Sequence, residues 1–256
     1  MKGDLLKGIM QWEMNDGKGF SGKLPVFYYD STSMTATYTA STSNVKKYLP
    51  HKDMHPVEIF PGKCVVGFTA FEYRKSDIDP YNEFSISILI TFGRKSMPGL
   101  GILNSLIKKD FTAFIWHLPV TTEKARYGGV ELYGYPKIIA DIEFKREKEF
   151  IECSLSEKGE HILTLKGKNI PGSHGKILRY RTYSIKDNVP LCANVYTNPL
   201  EFAQSLSGND AAIEIGEKHS ICSELKNIGL SKKPIMYQYS ALNESILFAP
   251  RNLIDD

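Results

Sequence analysis

One lysine in this chain stands where an amine could do covalent chemistry. Lys137 follows Glu131-Leu132-Tyr133-Gly134-Tyr135-Pro136 and precedes Ile138, so its nearest neighbours along the chain are aromatic and aliphatic. In water a lysine has a pKa of about 10.4, and roughly one in two thousand is neutral at pH 7. Only the neutral amine attacks a carbonyl. Apolar burial disfavours the ammonium and can lower its pKa by about 3–5 units, which readies a lysine for Schiff-base formation. The bland reading is a solvated surface lysine, as most lysines are.

The elements around it must bring the amine into a wall of the fold. Thr121 and Thr122 are candidate N-caps of a short helix, and Glu123 puts a carboxylate in its first turn. Gly128 and Gly129 are expected to end that helix, since glycine tolerates left-handed C-cap geometry. Pro136 fixes its own φ and biases Tyr135 towards extended backbone. The run from Ile138 to Phe144 then has a strand pattern.

Two strands elsewhere carry carboxylates. In the strand Cys64–Tyr73, the residues Cys64, Val66, Phe68, Ala70 and Glu72 share one face, so Glu72 lies on an apolar row. In the strand Phe84–Phe92, residues Phe84, Ile86, Ile88, Ile90 and Phe92 form one face, and Glu83, Ser85, Ser87, Leu89 and Thr91 the other. The bland reading of Glu83 is a solvated strand end.

The rest of the chain is read as mostly strands. Residues 3–24 read as an opening helix followed by a loop with Gly17, Gly19 and Gly22, and Met34–Thr39 as a strand. Ser43–Leu49 suits a short helix with Ser43 as cap and Pro50 as stop. Phe111–Leu118 is a buried strand. Phe150–Leu155 and His161–Leu165 form a hairpin around Ser156-Glu157-Lys158-Gly159-Glu160. Lys176–Ile185, Cys192–Tyr196, Ala211–Ile215, Ile235–Ser240 and Ile246–Phe248 follow as strands. Frequent short strands with few helices indicate an antiparallel barrel or sandwich in a single domain over residues 1–256. A closed barrel would enclose a pocket for a small ligand.

Composition excludes several classes. A net charge of +3 is too small to argue for nucleic acid, and mixed-sign runs such as Lys145-Arg146-Glu147-Lys148-Glu149 mark solvated turns. No window approaches the length of a transmembrane helix, and the first residues lack a signal-peptide core, so a cytoplasmic protein without membrane contact is expected. Cys64, Cys153, Cys192 and Cys222 are widely spaced and read as reduced and buried. His51 and His55 are bracketed by Pro50 and Pro56, so no metal site is expected.

The glycine pair followed by Glu131-Leu-Tyr-Gly-Tyr-Pro-Lys137 resembles the signature of the acetoacetate decarboxylase family, in which the lysine after the proline is an activated nucleophile. Weaker similarities cover Met34–Tyr38, Phe71-Glu72-Tyr73, Tyr81-Asn82-Glu83 and Ala193–Asn198. The resemblance implies a β-rich, cone-like barrel with a few peripheral helices, acting without a cofactor and as a homo-oligomer. It implies that Lys137 forms the Schiff base, that Glu83 and Glu72 are the active-site acids, and that Tyr135 lines the substrate pocket. The implied activity is decarboxylation of a small-molecule β-keto acid. An imine-dependent aldolase or dehydratase and a non-catalytic binding barrel remain as alternatives. Two departures stand out. Ile138 occupies the place of the family's second lysine, so desolvation must activate Lys137. The family's early arginine falls near Ser31, and Arg74, Lys75 and Arg126 are candidates to replace it.

Overall fold

Strands dominate the computed structural model, which describes residues 5–15, 17 and 21–253. A first hairpin pairs β1 (Trp12–Asn15) with β2 (Ser21–Leu24), and the long β3 (Val26–Ser41) follows. Helix α1 (Thr42–Val45) turns the chain into β4 (Met54–Pro56), β5 (Glu58–Phe60), β6 (Lys63–Ser76) and β7 (Tyr81–Phe92). Next come α2 (Leu100–Lys108), β8 (Asp110–His117) and α3 (Glu123–Tyr133). A meander of β9 (Asp141–Arg146), β10 (Phe150–Glu157) and β11 (Glu160–Lys168) leads to β12 (Leu178–Lys186) and β13 (Val189–Pro199). The chain finishes with β14 (Phe202–Ser205), β15 (Ala211–Ile215), α4 (Ser220–Asn227), β16 (Met236–Leu247) and β17 (Arg251–Asn252).

Seven strands close on themselves in the order β16-β3-β6-β7-β8-β12-β13, with β13 pairing back to β16. All these pairings are antiparallel except β8 with β12, which run parallel. A separate four-stranded sheet, β15-β11-β10-β9, packs on the outside. The two-residue alternation decides what each side of the barrel wall does. Outward from β3, β6 and β7 point Met34, Tyr38, Val66, Phe68, Ile86 and Ile88, which pack into one core with Ile151, Leu155 and Leu163 of the outer sheet. Inward point Ser33, Thr35, Gly67, Thr69, Ser85 and Ser87. Side chains that small cannot fill a barrel of this size, whose interior large residues would just occupy. The main core therefore lies between barrel and outer sheet, and the barrel interior is left as a cavity.

Several local expectations change. The described part of residues 3–24 is a turn and the β1–β2 hairpin, not a helix; Trp12 and Met14 alternate with polar residues. Gly19 lies outside the described residues. The short helix begins at Thr42 with Ser41 as its cap position. The hairpin turn is only Lys158-Gly159, both at positive φ (51° and 79°), the conformation two-residue hairpin loops require. Ile235–Ser240 and Ile246–Phe248 fall largely within one strand, β16, whose register shifts between Ser240 and Ser245. α2 and α4 have no counterpart in the sequence reading. All four cysteines are free and buried. Among the described residues no helix is long and apolar enough to cross a membrane, and no group of three or more His, Cys, Asp or Glu could hold a metal ion.

Candidate active site

Lys137 reaches its position through one helix, one turn and one glycine. Thr122 caps α3 by accepting a hydrogen bond from the Ala125 N–H. The helix does not stop at Gly128-Gly129, as the sequence suggested. It runs on to Tyr133 and ends at Gly134, whose φ of 61° makes it the left-handed C-cap. The Lys137 N–H then donates to the Tyr135 carbonyl at 2.8 Å, a three-residue turn centred on Pro136. That turn sends the lysine back across α3. A Cβ on Gly129 would lie 2.4 Å from both Cδ and Cε of Lys137, so the glycine is there to let the lysine stem pass.

The segment after the lysine is held by Val120 before any strand begins. The Val120 N–H donates to the Ile138 carbonyl at 2.9 Å, and the Ala140 N–H donates to the Val120 carbonyl at 3.0 Å. Val120 also bridges Glu83. One residue thus stitches the lysine segment to the start of β7, and β9 proper starts only at Asp141.

The outcome is a buried pair. Lys137 Nζ donates to Glu83 Oε2 at 2.8 Å, with side-chain exposures of 6% and 10%. The lysine is not an isolated amine in an apolar wall. Tyr73 and Tyr81 hydroxyls approach the two Glu83 oxygens at 3.5 Å each, and the Tyr28 and Tyr81 hydroxyls are 3.3 Å apart. Burial first, and then the charge of Glu83, hold the phenols of Tyr28, Tyr73 and Tyr81 well above the ordinary tyrosine range. They stay neutral and can donate. Tyr135 stacks on Tyr133 at 5.3 Å, and its hydroxyl shares a 2.6 Å hydrogen bond with Thr182.

Lys137, Glu83 and Tyr135 line one cavity of about 360 Å³ inside the barrel. The side that looked polar on β7 faces this cavity rather than solvent: Glu83, Ser85, Ser87 and Leu89 all line it. Among the described residues that line it, Lys137 is the single cation and Glu83 the single acid. A second void of about 20 Å³ lies beside the lysine stem against Ala125, Gly128 and Gly129.

Glu72 is not brought to the lysine. Phe71 and Tyr73 point into the cavity, so the pleat of β6 turns Glu72 to the opposite face. There it accepts hydrogen bonds from Arg74 at 2.8 Å and from Arg146 of β9 at 3.1 Å. None of the arginine substitutes reaches the cavity either. Arg74 pairs with Asp30 at 2.5 Å, Arg126 with Glu123, and the Lys75 ammonium sits 5.5 Å from the Tyr29 ring centre. Ser31 is buried, its carbonyl accepting from the Asn243 side chain at 3.2 Å.

Sequence reasoning missed Tyr28, Tyr73 and Tyr81 as neighbours of Glu83. One signal was available: Tyr81 and Glu83 are two apart and so share a strand face. Tyr73 stands directly opposite Tyr81 in the β6–β7 register, which sequence alone does not give.

The sequence matches the protein family described as Acetoacetate decarboxylase (ADC) over residues 15–173, a span that includes the lysine and Glu83. No curated protein sequence matches the chain. Several solved structures share its fold. Acetoacetate decarboxylase from Legionella pneumophila subsp. pneumophila str. Philadelphia 1 aligns with a TM-score of 0.63 at 13% identity, over 90% of this chain and 87% of that one. The enduracididine biosynthesis enzyme MppR, complexed with pyruvate, aligns with a TM-score of 0.62 at 11% identity over 90% of each chain. An acetoacetate decarboxylase-like enzyme from Sphingomonas wittichii RW1 gives 0.51 at 14% identity, over 90% of this chain and 93% of that one.

Proposed function

The chain belongs to the acetoacetate decarboxylase family, and on that premise we propose that Lys137 forms a Schiff base with the ketone of a keto acid and that the reaction is decarboxylation of a β-keto acid. The observation that carries this reading is the 2.8 Å contact between Lys137 Nζ and Glu83 Oε2 at the buried end of the barrel cavity. That distance is within reach for proton transfer between the two groups.

The steps follow from the imine. Nζ gives a proton to Glu83 and adds to the ketone carbon. The carbinolamine takes a proton back as it loses water, leaving a protonated imine. The imine accepts the electron pair of the C–C bond to the carboxylate as CO2 departs, and an enamine forms. Protonation at carbon regenerates the imine, and water hydrolyses it to ketone product and free lysine. Tyr73 and Tyr81, neutral and beside Glu83, support its charge without competing for its proton. No added cofactor is required, because the lysine-derived imine is itself the electron sink.

A second reading is an imine-dependent aldol or dehydration step on an α-keto acid. It is supported by a structural neighbour. The neighbour MppR was solved with pyruvate, an α-keto acid. Both readings pass through the same adduct. Borohydride reduction in the presence of a panel of keto acids and ketones, followed by peptide mass spectrometry, is expected to mark Lys137 and to leave the Lys137→Ala variant unmarked. Adducts confined to other lysines would overturn both readings.

A further inference from the structure

We propose that the substrate carries, beyond the keto group that meets Lys137, an extended apolar chain running through the barrel towards α2. This inference rests on the imine reading above and adds the shape of the molecule that reading leaves open.

Size is the first argument. An apolar cavity of about 150 Å³ takes one benzene. At that density the 360 Å³ inside this barrel has room for about 14 heavy atoms, about twice what acetoacetate needs. Shape is the second. Cavity-lining positions on β7 extend from Glu83 to Leu89, six residues or about 20 Å of strand. The lysine is therefore at one end of an elongated space and not at its centre. The lysine end is closed, with Tyr28, Tyr73 and Glu83 at 5%, 8% and 7% exposure. The far end is where the lining reaches the surface: Ile102 and Leu106 of α2 are half-buried and Leu206 is 73% exposed. Chemistry is the third. Phe111, Ala113 and Ile115 of β8 make an apolar wall along the length of the cavity, while β3, β6 and β7 contribute small uncharged hydroxyls at Ser33, Thr35, Thr69, Ser85 and Ser87. With Lys137 the sole cation among the described lining residues, a charged group at the far end would find no partner.

The test uses straight-chain methyl ketones from acetone to a thirteen-carbon homologue, whose 14 heavy atoms match the capacity of about 14 in the cavity, as probes, with borohydride-trapped adduct on Lys137 as the readout. The half-saturating ketone concentration is expected to fall with chain length, by up to about fourfold per added methylene, until the chain spans the cavity. In Leu106→Trp, where the indole fills the far end, the preference for the thirteen-carbon ketone over acetone is expected to shrink at least about tenfold, the loss of roughly two methylenes. Lys137 adducts with acetone and the thirteen-carbon ketone at equal half-saturation would overturn this inference and leave the imine reading standing. No Lys137 adduct with any ketone would overturn the imine reading, and this inference with it.

Discussion

At the scale of single residues, the proposed chemistry falls to two side chains, and a third makes room for one of them. Among the described residues Glu83 is the one acid paired with Lys137, so Glu83→Gln keeps the shape and removes the proton acceptor. Its rate of adduct formation with the best-trapped ketone is expected to fall about 100-fold or more, the usual worth of a positioned acid–base group. Quench-flow with borohydride measures that rate, and a variant as fast as the parent protein would remove Glu83 from the mechanism. Gly129 acts through Lys137. Alanine in a helix interior gains about 1 kcal/mol of propensity over glycine, but its methyl group would overlap the lysine stem at 2.4 Å. Gly129→Ala is therefore expected to melt at or near the parental temperature while adduct formation drops by roughly 100-fold, because an ångström of misplacement at a reacting group is that costly.

At the scale of elements, the lysine depends on where α3 stops. Gly134 has a φ of 61°, and a Cβ there would meet Lys186 Cβ at 2.8 Å and the Ile185 carbonyl oxygen at 3.0 Å. Backbone cannot step aside as a lysine stem can. Gly134→Ala is expected to cost about 1–3 kcal/mol of stability, read as a lower midpoint in urea, where Gly129→Ala costs little. Opposite patterns in these two variants would separate stability from amine placement; identical patterns would show that the two glycines do one job. The sequence reading had the glycines in the wrong roles. It took the pair 128–129 for the helix stop because glycine is the commonest C-cap, but a helix also keeps glycine where another chain segment crosses it closely. Only the crossing lysine distinguishes the two uses.

At the scale of the whole molecule, the outer sheet and α4 complete a core that the barrel alone lacks, and His117 sits where β8 meets α4. Its Nε2 is 2.9 Å from Glu224, yet burial outweighs that carboxylate and holds the imidazole below its ordinary 6.5. The unfolded chain then takes up the proton first. This contribution to stability is complete above pH 6.5 and is lost as the pH falls through that value towards the lower folded one. The melting temperature is expected to fall between pH 7.5 and 5.5, and His117→Gln to flatten that fall. An unchanged slope in the variant would assign the acid sensitivity elsewhere.

Sequence by itself determined most of the longer strands, because a two-residue alternation of apolar and polar side chains survives as a pattern whatever lies on either side of it. It singled out Lys137 as a candidate, through an unusual heptapeptide, and it set Glu83 and Glu72 on definite strand faces. Which face looks inward was decided by the tertiary structure alone. The outer sheet, contributed by residues about fifty positions or more along the chain from β7, buries the apolar rows from outside and leaves the serines, threonines and glutamate lining the cavity. The same pleat that delivers Glu83 to the lysine carries Glu72 away to Arg74 and Arg146. Alternation fixes which side chains travel together, but the direction they face depends on what packs against the sheet, and that information lies in contacts between distant segments.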